Sequence, residues 1–214
     1  MRYLGLCIAA LLCMASATPA WAQKSIDDIE AALGGAVGEL QRVDEILASP
    51  DANRRLAGME LLLGSGNPTF VRRAKEVGLF SSDPYLRSAA LKAVLDGGGA
   101  MTFELDTSGL ADDIRSYWVR KLSGEGAIAP DGSRITLTFN LGEFDAKNNC
   151  YLVLNGKNCM LVLEGENVAI TWAFYRYMQG LVRLNEAGEL VGTLTFLDNT
   201  SPRGSVPVRV NLMN

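Results

Sequence analysis

Residues 148–164 read Asn-Asn-Cys-Tyr-Leu-Val-Leu-Asn-Gly-Lys-Asn-Cys-Met-Leu-Val-Leu-Glu. Two apolar runs, Tyr151–Leu154 and Met160–Leu163, flank the pair Asn155-Gly156. Asn-Gly is the strongest short-range signal for a two-residue hairpin, because a type I′ turn needs positive φ at both central positions. A two-residue loop fixes the register: Leu154 opposite Lys157, Leu152 opposite Cys159, Cys150 opposite Leu161. Cys150 and Cys159 then stand diagonally on one face of the ribbon. A structural disulfide is the favoured reading, and two reduced core thiols are the alternative that the diagonal register leaves open. Both faces of the ribbon are largely apolar, which places it inside a β fold.

The sequence on either side extends that fold. Arg134–Leu141 alternates Ile135, Leu137, Phe139 and Leu141 with polar residues, the pattern of a strand with one wet face. Val168–Tyr177 reads as a long aromatic strand. Leu181–Leu184 and Leu190–Leu197 form a second hairpin, and Val206, Val208, Val210 and Leu212 alternate at the end of the chain. Short alternating strands separated by turn residues indicate an antiparallel sandwich or barrel. The sandwich is favoured here because several strands keep a polar face.

Before Gly97-Gly98-Gly99 the periodicity is helical. Ser25 precedes acidic Asp27 and Asp28, and Ile26, Ile29 and Leu33 follow at helical spacing. Gly34-Gly35 reads as an interruption before a second stripe, Val37, Leu40, Val43 and Leu47. Further helical stretches cover Asp51–Leu63, Thr69–Val77 and Asp83–Leu95, the last opening on a cap-and-proline pair, Asp83-Pro84. One more is expected within Leu110–Leu122.

Two of these stretches match at a distance of 32 residues. Asp51 falls on Asp83, Arg55 on Arg87, Ala57 on Ala89, Met59 on Leu91 and Leu63 on Leu95. The segment Asp83–Leu95 resembles the second half of a HEAT-type helical repeat, and the likeness spans residues 51–95. It implies a cap from each Asp, an Arg reaching toward the neighbouring repeat, and Ala and Leu packed between helices. An ordinary small helical bundle is the other reading. The expected architecture is α+β: a leader at 1–22, a helical region at 23–98 with a short HEAT-like αα stack, and an antiparallel β-sandwich at 99–214.

The leader is read from three features. Arg2 follows Met1, an apolar run reaches about Met14, and Thr18-Pro19-Ala20-Trp21-Ala22 ends in an Ala-x-Ala pattern before Gln23. Together they describe a cleaved secretory signal, too short to span a bilayer as a helix. The expected mature chain is soluble and exported, periplasmic or secreted. Cys7 and Cys13 leave with the leader, so Cys150 and Cys159 remain as a pair in an oxidising compartment.

Composition excludes more than it selects. The chain has no histidine, which removes Ser-His-Asp and Cys-His catalysis in their usual forms and His-based metal sites. No Gly-rich phosphate loop or dinucleotide fingerprint occurs, so no cofactor is expected. The formal net charge is −4, with no basic stripe, so nucleic acid is not an expected partner. Carboxylate pairs remain as acid/base candidates: Glu143 with Asp145, Glu164 with Glu166, Asp112 with Asp113. Glu143, Asp145, Asn148 and Asn149 match no calcium loop, so no metal is assigned. The aromatic run ending in Tyr175, Arg176 and Tyr177 is the candidate contact surface, because Tyr and Arg are enriched at interfaces. The expected function is non-catalytic binding of a protein or glycan through the β domain. A carboxylate-dependent glycan hydrolase and a structural component of an envelope assembly are the alternatives.

Overall fold

The computed structural model describes residues 25–153, 158–172, 178–198 and 201–213. The chain divides into two compact units, Met1–Gly38 and Glu39–Asn214. Among the described residues five helices and nine strands occur. Helix α1 spans Ile26–Leu47, α2 Ala52–Leu63, α3 Pro68–Leu79, α4 Pro84–Asp96 and α5 Asp112–Leu122. The strands are β1 (Gly99–Asp106), β2 (Gly126–Ile128), β3 (Arg134–Asp145), β4 (Cys150–Val153), β5 (Cys159–Glu164), β6 (Asn167–Trp172), β7 (Met178–Leu184), β8 (Glu189–Asp198) and β9 (Ser201–Asn211).

The strands form one sheet, not two. Neighbours run β1-β9-β8-β7-β6-β5-β4-β3, and β1 also pairs with β3, which closes an eight-stranded antiparallel barrel; β2 adds to the free edge of β3. This corrects the expected sandwich. Alternation reports one buried and one wet face, and both architectures satisfy it; the closing register, Gly99 opposite Leu141 through Asp106 opposite Arg134, joins segments too distant in sequence for any local pattern to show.

Inward rows can be followed around the ring. Val168, Val182, Gly192, Val208, Leu105 and Ile135 form one row, each paired with the next. Leu161, Ile170, Gly180, Leu194 and Val206 form another. The large members are buried and join a single core cluster. Glycine enters both rows for a steric reason. A Cβ on Gly180 would lie 2.1 Å from the Thr193 carbonyl oxygen, and one on Gly192 would lie 2.1 Å from that of Leu181. These strands coil too closely for any side chain there.

Helices α4 and α5 pack at opposite ends of the barrel, so the HEAT-like stack is also corrected. Leu79, Ala90, Leu91 and Leu95 belong to the barrel's own core cluster, so α4 is part of the barrel rather than one layer of a separate solenoid. Val43, Leu47, Met59, Leu62, Ala74 and Leu86 make a second, smaller cluster among the helices. The individual residues of the 32-residue pattern still act locally. Asp51 and Asp83 cap α2 and α4, and Arg55 reaches Asp83 at 2.7 Å. The equivalent Arg87 turns instead to the barrel. Its Nη2 donates to the carbonyls of Leu184 and Asn185, and its Nε faces Glu166 at 2.7 Å as an ion pair that is not aligned for a hydrogen bond. Ser88 adds a bond to the Gly165 carbonyl, so α4 is clamped to the β5–β6 and β7–β8 turns. At the opposite end α5 packs Tyr117 and Trp118 edge-on against Phe196.

Helix α1 is continuous through Gly34-Gly35, where an interruption was expected. Each interior glycine costs roughly 1 kcal/mol relative to alanine, a penalty that a helix capped at Ser25 and packed at Val43 and Leu47 withstands.

Candidate functional site

The disulfide expected from the hairpin is present: Cys150 and Cys159 are bridged with their Cα atoms 5.5 Å apart. The register that leads there differs from the regular one. Leu152 faces Cys159 as expected, but Leu161 faces Tyr151 rather than Cys150, which leaves Met160 as a bulged extra residue. The bulge turns both Met160 and Leu161 into the core. Asn155 and Gly156 lie outside the described residues.

The aromatic segment is only partly described. Strand β6 runs to Trp172, which pairs with Met178 at the start of β7 and packs on Phe139. Tyr175, Arg176 and Tyr177, the expected contact residues, lie outside the described residues.

Three of the six carboxylate candidates are engaged structurally. Glu166 holds Arg87 at 2.7 Å and Arg183 at 3.1 Å. Asp145 accepts from the Lys147 and Asn148 amides and from the Asn148 side chain, and Asp112 pairs with Arg115. Glu143, Glu164 and Asp113 are exposed. Hydrogen bonds hold Asp83, Asp106, Asp131 and Asp145 below the ordinary carboxylate range: from Arg55, from Ser108, from the Ser133 amide and hydroxyl, and from Asn148 respectively. That direction is opposite to the one a general acid requires. Among the described residues no cluster of three or more Cys, Asp or Glu has the geometry to hold a metal.

The most distinctive surface is on α1. Ser25 and Asp28 cap each other reciprocally: the Ser25 hydroxyl accepts from the Asp28 amide, and the Asp28 carboxylate accepts from the Ser25 amide and hydroxyl. These bonds hold the Asp28 carboxyl below its usual range. From this fixed start Ile26, Ile29, Leu33 and Val37 follow on one face at exposures of 74, 52, 61 and 45%. The same periodicity continues through Leu40 to Val43 and Leu47, which are buried in the second unit's helical cluster. Other exposed large apolar residues, such as Leu61, Tyr85 and Leu181, are far apart in sequence and carry no such periodicity. Acidic residues flank the α1 stripe: Asp27, Asp28, Glu30, Glu39 and Glu45, against a single basic residue, Arg42. Asp44 is bound to Arg73 at 2.7 Å.

The spacing of this stripe was legible in the sequence, but an amphipathic stripe ordinarily goes into a core, and its exposure was not. No helix among the described residues is long and apolar enough to cross a membrane. No family model matches the chain, and neither a curated protein nor a solved structure shows significant similarity to it.

Proposed function

We propose that the chain is an exported, non-catalytic binding protein that recognises a protein partner through the α1 face Ile26–Ile29–Leu33–Val37. The observation that carries this reading is the exposure of four large aliphatic residues at positions i, i+3, i+7 and i+11 of one helix. That is the anchor pattern of a helix laid into a groove. A large aliphatic side chain fully withdrawn from water contributes about 1.5–3 kcal/mol, so four partly exposed ones leave a substantial driving force for association.

The chemistry of the face selects among ligands. Glycans stack on aromatic rings, and this face has none. A helix lying on an anionic membrane surface carries Lys and Arg on its polar side, whereas this one is acidic. A partner groove rimmed by basic residues matches both the stripe and its flanks. Export rests on the three-part leader at residues 1–22. The structural engagement of Glu166, Asp145 and Asp112 supports binding over carboxylate catalysis.

The test is the double variant Ile29→Asp, Leu33→Asp. Both residues are exposed, so far-UV circular dichroism of the purified mature protein should be unchanged. On native gels of the cell-envelope fraction the wild type should migrate in a larger complex and the variant alone. Identical migration of the two would refute the reading.

A further inference from the structure

A second site lies wholly within the barrel unit. Helix α3, the last turn of α4, the start of β1 and the end of β9 enclose a cleft of about 620 Å³. That volume is typical of small-molecule sites, which span roughly 300–1,000 Å³. Its walls include Val71, Val94, Met101 and Leu212, so much of the lining is aliphatic. Two cations from α3, Arg72 and Lys75, join them.

The charges there are unequal in their partners. Glu76, the acid in the cleft, leans to Arg73 at 3.5 Å and to Arg72 at 4.0 Å. Arg73 is already held by Asp44. Among the described residues no carboxylate pairs with the half-buried Lys75. Its Nζ lies 3.2 Å from where a Cβ on Gly97 would stand, and that point is 3.3 Å from the Val94 carbonyl. Gly97 therefore leaves room for the ammonium beside the last carbonyls of α4. The negative end of the helix dipole orients it there without neutralising it.

An aliphatic-walled cleft with one unpaired ammonium and one weakly paired guanidinium fits a ligand with an apolar arm and a single negative charge. We propose that the cleft binds a small aliphatic carboxylate of the fatty-acid class, its chain along Val71, Val94 and Met101 and its carboxylate at Lys75 and Arg72. The chain as a whole carries a net charge of −4, so attraction for this anion is local to the cleft. This inference is independent of the α1 reading.

Isothermal titration of the mature protein tests it, with laurate, dodecanol and dodecyltrimethylammonium each kept below its micellar concentration. Laurate should bind saturably at one site and the cation should not. Lys75→Met should weaken laurate at least tenfold and leave dodecanol unchanged. Leu212→Trp, at a partly exposed position, should fill the cleft and abolish both, with the thermal melt checking that each variant is folded. Absence of laurate binding, equal binding of anion and cation, or laurate binding untouched by both variants would overturn the proposal.

Discussion

Asp83 does two jobs with two oxygens. Oδ1 accepts the Tyr85 amide at 3.0 Å and caps α4, while Oδ2 accepts Arg55 Nη2 at 2.7 Å and ties α2 to α4. The Arg55 guanidinium, with the amide bonds behind it, holds the Asp83 carboxyl below its ordinary value. Because the group titrates lower in the folded chain than in the unfolded one, its contribution is fully present above the unfolded value near 3.9. It fades as pH falls through the lower folded value. Melting temperature should therefore drop as pH is lowered from about 5 to below 4. Asp83→Asn should flatten part of that drop, the remainder belonging to Asp106, Asp131 and Asp145, which are shifted the same way. At neutral pH the variant should lose about 1 kcal/mol or somewhat more, since amide for carboxylate keeps a cap but not the ion pair. An unchanged acid limb in Asp83→Asn would show that the Arg55 contact contributes nothing. Both Asp83 and Arg55 were legible in the sequence, through the Asp-Pro start and the 32-residue match. The match also placed Arg87 but not its partners, because Leu184, Asn185 and Glu166 lie in strands and turns 79 to 98 residues downstream.

At the scale of elements, period and composition located nearly every helix and strand, while pairing between distant elements stayed hidden. Ile135, Leu137 and Leu141 announced β3, and Val206, Val208 and Val210 announced β9. What no alternation could reveal is that β1 pairs on one side with β9 and on the other with β3. That second pairing converts an open sheet into a barrel, and it can be tested at Thr102 and Thr138. They are directly opposite, with hydroxyls 3.1 Å apart. Opposed antiparallel residues have Cα separations of about 4.5–5.5 Å, within disulfide range. The pair Thr102→Cys, Thr138→Cys should therefore oxidise alongside the native Cys150–Cys159 bridge, and thiol labelling of the unfolded, non-reduced mature protein should find no free cysteine. Two free thiols would mean that the barrel does not close there. The α1 helix shows the converse error of local reading: two adjacent glycines looked like a break, yet a Cβ added at either would meet nothing within 4 Å and the helix runs through them.

At the scale of the molecule, Glu166, Asp145 and Asp112 are held in ion pairs and turns, and the α1 stripe is an exposed apolar face. The sequence showed the apolar spacing of α1 but not its solvent exposure, because spacing alone does not say whether a partner element within the chain covers the stripe. It directed attention to the β half, where the expected contact residues Tyr175, Arg176 and Tyr177 lie outside the described residues. On the proposed reading, Ile26, Ile29, Leu33 and Val37 are covered by another protein in the cell envelope. The most direct measurement is site-specific photo-crosslinking, with the reactive residue placed at Leu33 or, as a control on the other side of the helix, at Ala31. One discrete protein adduct is expected from Leu33, none from Ala31, with loss of the Leu33 adduct when Ile29 is replaced by Asp. Equal labelling from the two positions, or none from either, would contradict that reading.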